Sequence, residues 1–115
     1  STLLASSAAS DVYKRQQSIK RGIDIWCTDA HTITNLKGEP INFAQSIEIG
    51  KHAWVGKDVK IGKNTKMPDN IIVGWGSIVT KVFNEPNIIL AGIPAKIVKR
   101  GINWDRRCIN KYLLE

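Results

Sequence analysis

A chain of 115 residues has room for one domain. Its net charge of +7 suits a polyanionic partner, either nucleic acid or a phosphate-bearing cofactor, but its basic residues do not interleave with aromatics in any recognised nucleic-acid motif. No stretch is long and apolar enough to cross a membrane, and Cys27 and Cys108 lack metal-type spacing, so reduced thiols in a reducing, cytoplasmic compartment are the default.

The chain opens on a low-complexity segment without periodicity. Residues 3–9 are too short and too poor in apolar side chains for a signal peptide. The run Ser10-Asp11-Val12-Tyr13-Lys14-Arg15-Gln16 resembles translated sequencing-adapter read-through. Residues 1–18 are therefore expected to be an extraneous or disordered leader, with the true N-terminal part missing.

A pattern starts at Ile19. Ile23 and Ile25 alternate as on a strand, and Cys27-Thr28-Asp29-Ala30-His31 follows. The next residues, Asn35-Leu36-Lys37-Gly38-Glu39-Pro40-Ile41-Asn42, are polar with Gly and Pro, which predicts a loop. Loops that leave a rigid scaffold often carry function.

From Ile47 to Lys81 the chain falls into sixes. Ile49, Val55, Ile61, Met67, Val73 and Val79 recur at every sixth position, and a smaller or branched residue follows four later at Ala53, Val59, Thr65, Ile71 and Ser77. A period of six does not return to one face of a 3.6-residue spiral, and glycines would interrupt one long strand. Short strands joined at corners fit, three to a coil, with coils stacked as parallel strands. Both sets of residues then point inward, and glycines are expected at the corners. Each buried Ile or Val contributes on the order of 1.5–3 kcal/mol. Lys57, Lys60, Lys63 and Lys66 point outward, where a solvated face is the plain expectation.

Beyond Lys81 the period fails. Asn84-Glu85-Pro86-Asn87 predicts a turn, residues 88–91 a last strand and Gly92-Ile93-Pro94 another turn. Residues 95–115 read as a basic tail and a helix over 103–115, capped by Asn103. Trp104, Cys108, Ile109, Tyr112 and Leu113 fall near one helical face, which would pack on the coils or on a neighbour.

These repeats resemble the hexapeptide-repeat acyltransferases. The segment Gly74-Trp75-Gly76-Ser77-Ile78-Val79-Thr80-Lys81, followed by Ala91-Gly92-Ile93-Pro94-Ala95-Lys96, is similar to the last-coil signature of the maltose, galactoside and capsular-polysaccharide O-acetyltransferases. The resemblance covers about residues 23–100. It implies an all-β fold, a left-handed parallel β-helix over residues 19–94 with a short C-terminal helix. The handedness comes from the resemblance alone.

The resemblance also implies chemistry. Asp29-Ala30-His31 matches the segment that carries the family's general base, which points to His31 as catalytic and to Asp29 as its orienting partner or an acceptor contact. An imidazole can take the proton of an acceptor hydroxyl as it attacks a thioester. The plain alternatives are a surface histidine and a turn-stabilising aspartate. Trp54 matches a tryptophan that borders the active site, so it would contact the acceptor; the alternative is a subunit interface. His52 is expected to be structural or solvent-facing.

Acetyl-CoA is the implied acyl donor, bound along a groove between subunits of a homotrimer. Gly74, Trp75, Gly76, Ser77, Thr80 and Lys81 match the residues along the pantetheine arm. Lys96, Lys99 and Arg100 match the basic positions that reach its 3′-phosphate end, where cations suit the charge. Trp75 replaces a usual Ala and Lys57 a usual small hydroxyl residue. No metal is expected: related zinc carbonic anhydrases need three histidines and this chain has two. The expected activity is acetyl transfer to a sugar or polysaccharide hydroxyl, without an acyl-enzyme. A non-catalytic assembly module and an N-acyltransferase for an amino-sugar nucleotide are the alternatives.

Overall fold

In the computed structural model, residues 2–4, 18–19 and 22–114 are described. The elements are β1 (Thr2–Leu4), β2 (Ser18–Ile19), β3 (Asp24–Ile25), β4 (Ile47–Ile49), β5 (Trp54–Val55), β6 (Lys60–Ile61), β7 (Lys66–Met67), β8 (Ile71–Val73), β9 (Ile78–Val79), β10 (Ile88–Gly92), β11 (Ala95–Arg100) and α1 (Ile109–Leu114). The fold is all-β, with one short helix among the described residues.

From β4 to β9, successive strands step around three sheets. The first face pairs β4 with β7, the second β5 with β8, and the third β6 with β9, all parallel. The register pairs Glu48 with Lys66, Trp54 with Ile72 and Lys60 with Ile78, each 18 positions apart. Three sixes thus make one coil. Upstream, the register doubles: Ser18 pairs with Trp54 and Asp24 with Lys60, both 36 apart. The surplus lies in residues 26–46, which leave the coil and return to β4. β1 runs antiparallel along β4, and most of the expected leader lies outside the described residues.

The inward positions are those the sixes dictate. Ile49, Ala53, Val55, Val59, Ile61, Met67, Ile71, Val73 and Val79 are buried, together with Thr65 and Ser77. Their packing is the main stabilising term, because each removes apolar surface from water along one continuous column.

The corners differ from expectation. His52, Asp58, Asn64 and Asn70 hold φ near +60° and Gly76 +69°, one per six, each just before an inward small or branched residue. Asn and Asp tolerate this region better than most residues. The glycines do something else. Gly50 N–H donates to Met67 O at 2.7 Å and Gly56 N–H to Val73 O at 2.9 Å. A Cβ on Gly50 would sit 2.5 Å from the Pro68 backbone, and one on Gly56 2.6 Å from Trp75 Cδ1. These positions are glycine because the next coil crosses too closely for a side chain.

The C-terminal end also departs from expectation. Residues 95–100 are not a tail but β11, antiparallel to β10, with a register shift at Ile89/Leu90 that leaves Val98 as the extra residue. The helix begins at Ile109 rather than 103 and buries no side chain. Asn103 Oδ1 accepts from the adjacent Trp104 N–H instead of capping a helical turn, and Asp105 takes the Arg107 N–H in a bend. Local side-chain bonds of this kind compete with helix.

Candidate active site

Residues 26–46 emerge at the corner between the third and first faces. Trp26 N–H bonds to Ile61 O, and Gln45 N–H closes the neck on Cys27 O at 3.0 Å. At the base of the loop the chain reverses at Asp29-Ala30-His31. His31 N–H donates to Asp29 O at 2.8 Å across Ala30, whose φ is +68°. This is a three-residue turn in a sparsely populated conformation, of order 1–3 kcal/mol in cost for a residue with a Cβ.

Asp29 does not share a strand face with His31. Its carboxylate Oδ2 accepts from Lys63 Nζ at 2.6 Å and from Asn42 Nδ2 at 2.9 Å. The Lys63 bond first, and the Asn42 bond after it, hold the Asp29 carboxyl below the usual carboxylate range. Lys63 also donates to Phe43 O, so it bolts both legs of the loop to the coil. Its expected solvated role is thereby corrected. The His31 ring is exposed, and among the described residues no side chain hydrogen-bonds it. The ring is open to a substrate.

The stretch matched to the pantetheine arm divides in two. Gly74, exposed Trp75 and Gly76 form the corner between the second and third faces, with Gly76 N–H on Lys57 O. Ser77 is not on the surface. It is 1 % exposed, and its hydroxyl donates to Gly74 O at 2.8 Å and accepts from Gly92 N–H at 3.1 Å. Thr65 makes the same bond to Gly62 O two sides earlier, at the third-to-first corner. Ser77 is therefore a structural pin, and its side chain cannot reach a ligand. Thr80 and Lys81 are exposed at the third-to-first corner, where Thr80 stacks on Gly62, one coil beyond the Lys63 that braces the loop.

On the second face, Trp54, Ile72, Ile89 and Lys99 stand in register on successive strands. Ala91 pairs with Lys96, so the bulge leaves Lys96 and Lys99 on the outward side. Arg100 is tied to Glu85 at 3.1 Å. Trp54 borders a concavity of about 560 Å³ that is walled by Trp104, Arg107 and Tyr112. Trp104 stacks on His52 with ring centroids 3.9 Å apart at 4°, and its Nε1–H donates to His52 O. His52 therefore seats the C-terminal segment.

No protein-family model matches the chain. It is 39% identical over 76 residues to the galactoside O-acetyltransferase of Escherichia coli K12, across 66% of this chain and 36% of that one. It resembles the solved polysialic acid O-acetyltransferase OatWY at 42% identity and TM-score 0.77, over 80% of this chain and 44% of that one. The polySia-specific acetyltransferase NeuO follows at 36% identity and TM-score 0.66, over 74% and 36%. The chain belongs to the hexapeptide-repeat O-acetyltransferase family. It spans well under half of these relatives.

Within one copy of this family member, the candidate residues do not converge. Asp29 and His31 lie at the third-to-first corner, with Thr80 and Lys81 along the same edge two coils on; Gly74 to Gly76 form the second-to-third corner, and Trp54, Lys96 and Lys99 stand on the second face, which that corner borders. Face three, with β3, β6 and β9, separates His31 from Gly74. Among the described residues no group of three or more His, Cys, Asp or Glu side chains is placed to hold a metal ion, and no helix is long and apolar enough to cross a membrane. The sequence reading missed Asn42, because its partners lie up to 13 positions away and no local motif marks it.

Proposed function

We propose that the full-length protein transfers an acetyl group from acetyl-CoA to a hydroxyl of a sugar or polysaccharide unit. The observation that carries this is the exposed His31 ring, presented by a braced turn at a corner of a chain whose relatives are named O-acetyltransferases. The His31 imidazole takes the hydroxyl proton, the acceptor oxygen attacks the thioester carbonyl, and the carbon–sulfur bond breaks. The proton then passes to the departing thiolate, so coenzyme A leaves as a thiol. No acyl-enzyme forms.

The coils are left-handed, as in the family, and the working unit is a homotrimer in the cytoplasm. Separation of His31 from the Gly74 corner within one copy supports a site shared between neighbours. Trp54 contacts the acceptor, while Thr80, Lys81 and the corner at Gly74, Trp75 and Gly76 flank the pantetheine arm. Lys96, Lys99 and Arg100 take the 3′-phosphate end.

The test is thiol release from acetyl-CoA by the full-length protein, with panels of sugar hydroxyl and amino-sugar acceptors. Acceptor-dependent release with a hydroxyl acceptor is expected. Release only with amines would move the activity to N-acylation. No release, together with no binding of acetyl-CoA, would leave an assembly scaffold.

A further inference from the structure

The turn that presents His31 is held by one side chain. Asn42 Nδ2 carries two hydrogens, and both are used on either side of Ala30: one bonds Asp29 Oδ2 at 2.9 Å, the other His31 O at 2.8 Å. Its Oδ1 accepts the Ile33 N–H at 2.7 Å. One planar carboxamide thus fixes residues 29, 31 and 33. Around it the backbone is in an unfavourable conformation, with Ala30 at φ +68°. Such a turn persists only where its surroundings over-determine it.

From this geometry we infer that Asn42 is the positioning residue for His31. This rests on the proposed role of His31 as general base. The chemistry demands an Asn at this place. The position needs two donors and one acceptor in a single plane within reach of three neighbouring residues. Asp supplies the acceptor alone and sets a second carboxylate against Asp29. Ser has one donor. Gln carries the group one carbon too far. Lys63 completes the brace from the other side by holding Asp29 Oδ2 at 2.6 Å, so the clamp is referenced to the rigid coil and not only to the loop. A small error in the imidazole's approach matters, because a misplacement of about 1 Å can cost on the order of 100-fold in rate.

The experiment compares Asn42→Asp and Asn42→Ala with the parent in the full-length protein. Asn42→Asp keeps the acceptor for Ile33 and loses both donors. The expected result is a kcat lower by on the order of 10–100-fold, with KM for acetyl-CoA within about twofold and an unchanged melting temperature. An unchanged kcat would overturn the inference. So would a parallel loss of kcat, acetyl-CoA affinity and melting temperature, which marks general collapse of the loop. The His31 ring resonances supply a readout independent of turnover. In Asn42→Asp they should shift or broaden while amides of the buried coil positions stay in place. If the parent never turns over, the enzymatic reading fails, yet unshifted ring resonances would still reject the clamp and shifted ones support it.

Discussion

His52 and Asn70 stand at the same corner of successive coils, and His52 Nδ1 lies 3.1 Å from the Asn70 carboxamide oxygen. Both residues have φ near +60°. Trp104 lies flat on the imidazole, so this corner docks the C-terminal segment. His52→Asn should keep the backbone and lose the stacking, shifting Trp104 emission to the red. His52→Val should destabilise further, by about 1–2 kcal/mol relative to His52→Asn, because a β-branched residue resists the left-handed region. Denaturant titration of the two variants checks the order, and equal stabilities would contradict it.

Ser77→Ala separates a structural pin from a cofactor contact. The substitution leaves the Gly92 N–H without its acceptor, in a half-buried setting. A loss of about 1–3 kcal/mol in stability is expected, with coenzyme A affinity unchanged. Selective loss of coenzyme A binding in calorimetry would restore a ligand-facing role for this hydroxyl.

The Asp29 brace sets a pH dependence. Its carboxyl is held below the ordinary value by Lys63 and then Asn42. A carboxyl depressed in the folded state stabilises the loop fully above its unfolded value, 3.8, and that contribution is lost as pH falls through the lower folded value. Loop amides around Ile33 should therefore stay protected from exchange at neutral and mildly acidic pH and lose protection only in strong acid. In Asp29→Asn the acid-linked step should vanish. A step of the same size in that variant would assign it to another group.

The basic residues of β11 are distinguishable by their partners. Lys96 and Lys99 face outward, whereas Arg100 is already paired with Glu85. Lys96→Gln with Lys99→Gln should weaken coenzyme A by on the order of tenfold and 3′-dephospho-coenzyme A much less. Arg100→Gln should do less than the lysine pair. Equal weakening of both ligands would remove β11 from the phosphate site.

The core was legible because its signal is repetitive. Ile49, Val55, Ile61 and Val73 occupy equivalent places, so one rule places them all. The corners were misread for a physical reason. Glycine has two uses, left-handed backbone and close approach, and only the structure shows that Gly50 and Gly56 serve the second while His52 and Asp58 take the first. β11 was hidden by its bulge at Val98, which breaks strict alternation. The helix over 103–115 shrank because Asn103 and Asp105 satisfy local N–H groups in bends. In the site, the exposed loop and His31 were readable, but the brace was not. Lys63 reaches Asp29 across 34 positions, a contact created by coiling and by no local pattern.

The central claim is that His31 is the general base and that the groups holding coenzyme A lie elsewhere. The most direct measurement is kcat and acetyl-CoA affinity of His31→Ala in the full-length protein, beside His52→Ala. The account predicts a fall in kcat of about 10²–10⁴-fold for His31→Ala with acetyl-CoA still bound, and a far smaller change for His52→Ala. Turnover near the parent's in His31→Ala, with every hydroxyl acceptor that the parent uses, would contradict it.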